Sequence, residues 1–314
     1  MPSLRTKIDC NGHRPRFLFF SGKGGVGKTT MSSATAVWLA RRGYRVLQVS
    51  TDLQKSLNDI YEQAIENTPT AVHDVPNLRA VNIETAESME RHRGKIMHTL
   101  AILDPESPML KQMKDDRMTD CGCAQAAVFE LTEYLNTTDH DVVVFDTAPA
   151  GSTLEKIETQ SRSILTLVRQ IEIKQKLRDV FGDDGLASQI AALEEIRARD
   201  ERAFEVLRSG QTAFTMILIP EALPFAELRR NIEDLEGRYR IPVEGVVINN
   251  VLPEAERDGT AFWREHWSMQ ERYIGLVHER FADRAIAEVS MLPGETVGLP
   301  SLTRVAGLLY GGDA

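Results

Sequence analysis

The chain has 314 residues, 42% hydrophobic and 26% charged, ordinary values for a globular protein with a substantial core. Its 37 Lys and Arg against 46 Asp and Glu give a net charge of −9 with no long basic run, which argues against nucleic acid as a partner. Three cysteines, Cys10, Cys121 and Cys123, are too few and too oddly placed for a disulfide framework. No apolar run approaches the length of a membrane span, and the polar start with Arg5, Lys7 and Asp9 lacks the apolar stretch of a secretory signal, so a cytoplasmic location is expected.

Residues 1–15, polar and containing Gly12 and Pro15, read as a loose N-terminal arm, and residues 16–314 as one domain. The run Phe17-Leu18-Phe19-Phe20 reads as a strand and leads directly into Gly22-Lys23-Gly24-Gly25-Val26-Gly27-Lys28-Thr29-Thr30, which opens a helix-like run from Met31 to Arg42. Strand, glycine-rich turn and helix start are the context of a phosphate-binding loop. The glycines let backbone N–H groups turn inward around a polyphosphate, and the helix N-terminus adds its partial positive charge. Lys28 would reach the β- and γ-phosphates and the Thr29 hydroxyl would hold Mg²⁺. Lys23 adds a second cation that an isolated phosphate loop does not require.

Gly43 caps that helix, and Tyr44 to Ser50 reads as a strand delivering Thr51-Asp52 to the loop's edge of the sheet. A strand over Leu78 to Ile83 precedes helices from about Ala86 to Leu103 and from Cys123 to Leu135. Val142-Val143-Val144-Phe145, closed by Asp146, has the continuous apolar character of a strand covered on both faces. Helices follow from Leu154 to about Val180 and from Leu186 to Leu207. Strands are expected at 214–219, 243–248 and 285–291, alternating with helices near 225–238, 260–280 and 299–309. The pattern predicts an α/β fold, a mostly parallel doubly wound sheet covered by helices, with helical insertions at about 86–135 and 154–207.

In open α/β sheets ligands sit outside the carboxyl ends of the strands, which brings the glycine loop, Asp52 and Asp146 to one edge. Asp146 is expected to approach Mg²⁺, through water because that ion keeps several waters, or else to serve as a turn or helix-capping residue. Asp52 is placed to orient or deprotonate an attacking water, or is an ordinary turn residue after a strand.

Gly-Lys-Gly-Gly-Val-Gly-Lys-Thr-Thr resembles the deviant P-loop of ATPases that include MinD, ParA, the nitrogenase iron protein and ArsA. Ser50-Thr51-Asp52 with Ser56-Leu57-Asn58-Asp59, and Asp146-Thr147-Ala148-Pro149 with Gly151, Thr153 and Leu154, are similar to the two switch regions of the ArsA family. That family also holds the ATPase that delivers tail-anchored membrane proteins. Ile219-Pro220-Glu221, Val247 to Glu254 and Leu292-Pro293 extend the resemblance over about residues 16–311.

The resemblance implies Mg²⁺-dependent ATP hydrolysis by a homodimer that sandwiches two nucleotides. Lys23 would cross to the partner's nucleotide, Asp52 would be the hydrolytic aspartate and Asp146 would head the second switch. Asn249 would pair with the adenine edge, unless it is a strand-end turn, and Pro293 would pack near the base. It also implies a membrane partner, either an efflux protein driven by the ATPase or an apolar membrane-protein helix carried as client. A partitioning-type regulatory ATPase is a third class, supported by no terminal amphipathic helix and no basic patch.

The chain departs from the family at Asp52-Leu53-Gln54-Lys55, where Asp-Pro-Ala is usual, and at Ala150 and Ser152 in the second switch. Residues 256–270 lack the Cys-x-x-Cys pair with which targeting members share a zinc ion. Cys121 and Cys123 lie where ArsA proteins place a metalloid-binding cysteine, and read as a metalloid or zinc site or as a free or buried thiol pair. Ile157, Ile164, Leu167, Val168, Ile171, Leu177, Val180 and Phe181 form a helical stripe that reads more as core than as a client groove. Met109, Met113 and Met118 offer such a groove a second wall within a polar stretch.

Overall fold

The computed structural model describes residues 4–8, 16–51, 56–83, 85–103, 106, 110–111, 130–136, 138–147, 150–182, 184–257 and 259–311. Asp52, Ala148, Pro149, Cys10, Cys121, Cys123, Met109, Met113 and Met118 lie outside these.

The chain divides into two compact units, one of residues 1–82, 139–153 and 208–314, the other of residues 83–138 and 154–207. The first holds an eight-stranded sheet in the order β3-β4-β2-β5-β1-β6-β7-β8. Its strands are β1 (Arg16–Gly22), β2 (Val46–Ser50), β3 (Thr70–Ala71), β4 (Leu78–Asn82), β5 (Val142–Asp146), β6 (Thr212–Leu218), β7 (Val243–Val251) and β8 (Ala285–Ser290). All pair in parallel except β3, which lies antiparallel on β4.

β1, β2, β5 and β6 are buried at every residue, as strands covered on both faces should be. On one face Phe19 stacks between Phe145 and Phe214 of the flanking strands, at ring-centre distances of 4.4 and 4.5 Å. That ladder fixes the register of the three central strands, because a slip by one residue would turn each ring to the other face. On the other face Leu18 and Phe20 join the core beneath helix α2 (Lys28–Arg41).

The helices of this unit follow the strand-helix alternation. A short α1 (Leu4–Ile8) buries Leu4 and Ile8 at 3% and 1% exposure, so part of the segment read as a loose arm belongs to the core. Two apolar residues four apart share one helix face, a pattern too short to stand out among polar neighbours. α2 ends at Arg41 and the chain turns away from it through Gly43 (φ 88°), and α3 spans Ser56–Tyr61.

Numbering the helices in chain order, α7 (Ala222–Glu233) runs into a π turn at Asp234–Arg238, and α8 (Ala261–Arg280) and α9 (Gly298–Tyr310) complete the unit. α9 packs on α2, with Tyr310 against Trp38 and its hydroxyl 2.5 Å from Thr35 Oγ1.

Beneath α2 a polar network is sealed in. Gln48 Nε2 donates to Ser32 and Ser33 Oγ at 3.1 and 2.9 Å, and the Tyr61 hydroxyl donates to Gln48 Oε1. Burial pushes the Tyr61 hydroxyl's pKa well up, so it stays a protonated donor. The network ties β2 and α3, which flank residues 52–55, to the helix that begins at the glycine loop.

The second unit is helical: α4 (Thr85–Leu103), a helical segment over residues 130–136, most of α5 (Ala150–Phe181) and α6 (Asp184–Arg208). Leu167 and Ile171 of α5 pack with Ile190 and Leu193 of α6, joined by Ile102 and Ile196. Ile173, Leu177, Val180 and Phe181 turn away and are 51%, 41%, 74% and 73% exposed. The stripe read as mainly core is therefore core at its middle and open at its C-terminal end. Among the described residues no helix is long and apolar enough to cross a membrane.

Candidate functional site

β1 leaves the sheet at Gly22, and the chain turns through Gly25 (φ 79°) and Gly27 (φ 95°) before α2 begins. Both are left-handed positions that suit glycine. A Cβ on Gly27 would lie 2.4 Å from Asn249 Nδ2, so a side chain at this position would displace the Asn249 amide. Successive N–H groups in such turns, together with the N-terminus of a 14-residue helix, form an anion cradle.

Over the loop lies a cavity of about 580 Å³ whose lining includes Gly24, Lys28, Thr29, Ser56, Asn249 and Leu292. Gly25, Gly27 and Thr30 also line it. Val26 instead points inward and is 1% exposed.

Lys28 is 7% exposed, and its ammonium donates to the Lys23 carbonyl at 3.1 Å. The lysine of the motif is thus held back along the loop, over the cradle. Lys23 itself is half-buried.

Asp146 sits at the end of β5, 1% exposed, and Thr29 Oγ1 donates to its Oδ2 at 2.8 Å across 117 residues of sequence. Ser56 Oγ lies 3.4 Å from the same threonine hydroxyl. The Thr51 amide donates to the Asp146 carbonyl at 3.0 Å, and Thr147 bonds Phe20 O through both its amide and its hydroxyl. Strand pairing aligns Ser50 and Phe20 with Asp146, which brings the ends of β1, β2 and β5 to one point. The three oxygen-bearing side chains Thr29, Ser56 and Asp146 form a hard donor set of the kind Mg²⁺ takes.

Asn249, from the end of β7, donates from Nδ2 to Val26 O at 2.9 Å and is 7% exposed. The family resemblance implies that Asn249 pairs with the adenine edge, or else it is a strand-end turn; its amide nitrogen here holds the loop, leaving Oδ1 as an acceptor. Nothing local signals a contact between residues 223 positions apart. Pro293 is exposed, and its neighbour Leu292 lines the cavity together with Thr296 and Val305. Asp52, Cys121 and Cys123 lie outside the described residues.

Asn249→Ala is expected to weaken nucleotide binding about tenfold, the value of one buried hydrogen bond plus the carbonyl left behind. A latch on the loop makes the loss equal for ATP and GTP in an equilibrium titration. A loss confined to ATP would give the amide to the base instead, and unchanged affinity for both would exclude either role.

A parallel α/β sheet with a glycine loop opening a helix, and a carboxylate at the end of a neighbouring strand, defines a P-loop nucleotide-binding protein. The profile of the family described as anion-transporting ATPase, ArsA_ATPase, matches residues 15–311, and the chain belongs to that family.

Relatives agree. A Halobacterium salinarum protein bearing an arsenical pump-driving ATPase name is 32% identical over 98% of this chain. ATPase GET3A of Arabidopsis thaliana is 28% identical over 91% of the chain and 81% of its own length. An arsenical pump-driving ATPase of Acidiphilium multivorum is 29% identical over 92% of the chain. The chain spans 45% of the length of the first of these and 48% of the last.

Proposed function

We propose that this chain hydrolyses ATP with Mg²⁺, and that as a homodimer it couples hydrolysis to an arsenite- or antimonite-efflux protein in a membrane. The observation that carries the ATPase reading is the hydrogen bond to Asp146 from Thr29, a residue that lines the cavity together with the loop glycines. Bound there, Mg²⁺ would neutralise charge on the β- and γ-phosphates.

The loop amides and Lys28 would hold those phosphates, with the ammonium exchanging the Lys23 carbonyl for a phosphate oxygen. Thr29 would ligate the metal directly, and Asp146 would do so through water, as a buried acceptor already aimed at that hydroxyl. Asp52 would orient the attacking water, and Lys23 would reach a partner subunit's nucleotide, so that the γ-phosphate orders segments of both subunits and hydrolysis releases them. The efflux reading draws on the names of the Halobacterium and Acidiphilium relatives and on the Cys121-Gly122-Cys123 thiols.

A second reading, a chaperone for an apolar membrane helix, draws support from the exposed Ile173, Leu177, Val180 and Phe181 on α5. ATPase assays with antimonite and with an apolar helical peptide separate the two. Pump coupling predicts stimulation by antimonite that disappears in Cys121→Ser/Cys123→Ser. A chaperone predicts a stable peptide complex, lost in Val180→Asp/Phe181→Asp, and no response to antimonite. Failure to bind labelled ATP would remove both.

A further inference from the structure

We propose that the helical unit carries a transition-metal site, with zinc the best-matched ion, formed by His92 of α4 and by Glu130 and Glu133 of the segment 130–136. α4 presents Ser88, Arg91, His92 and Lys95 along one face, at i, i+3, i+4 and i+7. Glu130 and Glu133, three apart on a helical segment, present their carboxylates together. One ligand atom from each of His92, Glu130 and Glu133 falls within a sphere of contacts no wider than 4.8 Å.

The spacing discriminates among ions. His92 Nε2 lies 3.3 Å from Glu130 Oε1 and 3.8 Å from Glu133 Oε2. Zinc bound to imidazole nitrogen and carboxylate oxygen at about 2.0–2.2 Å in tetrahedral geometry sets its ligand atoms about 3.3–3.6 Å apart, close to both distances. One nitrogen and two oxygens suit a borderline ion, whereas Mg²⁺ and Ca²⁺ prefer oxygen alone and Cu(I) prefers sulfur. Three protein ligands leave a fourth position for water.

Charge explains why the cluster is more than an ion-pair network. Arg91 contacts Glu130 at 2.7 Å and Lys95 contacts Glu133, so the two carboxylates already have two cations. His92, at 4% exposure, is buried with its ring nitrogen beside both acids, where a nitrogen ligand would join their oxygens. The side chains of Arg91 and Lys95 are 41% and 58% exposed, so both heads can return to water while a divalent ion takes over their combined charge. Ser88, donating to Glu130 Oε1 at 2.7 Å, holds that carboxylate in place throughout. Binding is then a competition between one metal and two lysine-type or arginine-type cations, which makes the site exchangeable.

The test uses nucleotide-free, metal-free full-length protein carrying Cys121→Ser/Cys123→Ser, titrated with Co²⁺ and monitored by visible absorption, with Zn²⁺ as competitor. One equivalent of Co²⁺ should give a ligand-field band without thiolate character, and Zn²⁺ should displace it. His92→Gln and Glu133→Gln should each weaken binding beyond the roughly 10–100-fold cost of an outer-shell loss. Glu133 is half-exposed, so its variant should fold normally by circular dichroism even if His92→Gln does not. Lys95→Gln should tighten binding roughly threefold, because a competing rim charge is removed. No band in the parent protein, a band that survives Glu133→Gln, or weaker binding in Lys95→Gln would each overturn the site.

Discussion

Asp52→Asn is expected to lower ATP hydrolysis about 10²- to 10⁴-fold while leaving nucleotide affinity within roughly twofold, the pattern of a group that acts on the attacking water rather than on the bound phosphates. Asp52 lies outside the described residues, between Thr51 and Ser56, which are described. Thr51, its neighbour in the chain, donates its amide to the carbonyl of Asp146 at 3.0 Å. Ser56, four residues after Asp52, lies 3.4 Å from the Thr29 hydroxyl. Both ends of this short segment are thus fixed beside the two residues proposed to hold the metal.

Asparagine keeps the shape and the hydrogen-bonding oxygen of aspartate but carries no charge and cannot accept the water's proton. Single-turnover hydrolysis alongside equilibrium nucleotide binding checks the split. Undiminished turnover would remove Asp52 from the chemistry, and a parallel loss of binding would make it a positioning residue for the loop.

The parts of this architecture legible in the sequence are those that chemistry confines to a short stretch. A phosphate cradle needs glycines, a lysine and a hydroxyl within nine consecutive residues, so the loop from Gly22 to Thr30 announces itself. β5 was legible for a similar reason: burial on both faces demands the unbroken run Val142 to Phe145, and Asp146 marks where it stops.

What pairs across the fold was not legible. Gln48 looks like the polar member of an alternating strand, yet it is 0% exposed because Ser32, Ser33 and Tyr61 satisfy it from elements 13 to 16 residues away. The Asn249 amide meets Val26 only after the sheet order is set, and a sequence does not reveal that β7 reaches the loop. β3 is two residues long, too short for any periodicity to register. The N-terminal arm misled because Leu4 and Ile8 are two apolar residues among polar ones, and only their docking on the core shows their purpose.

Gly22→Ala should be the most damaging single-methyl change in the loop, costing about 3 kcal/mol of stability and collapsing nucleotide affinity with it. Gly22 ends β1 at φ 156°, paired with Ile217 of β6. A Cβ there would sit 2.2 Å from the Ile217 carbonyl oxygen and 3.2 Å from Val26 Cγ2. The first obstacle is backbone inside a sheet, which cannot rotate away as a side-chain end could, so relief requires prising β1 from β6 at the point where the cradle begins.

Gly24, two positions from Gly22 in the same loop, is the internal control. A Cβ on Gly24 meets nothing within 4 Å, and Gly24→Ala should change stability by no more than about 0.5 kcal/mol. Denaturant unfolding of the two variants beside the parent protein tests this without reference to catalysis. Equal stabilities would mean that the close approach of β1 to β6 at Ile217 does not constrain Gly22.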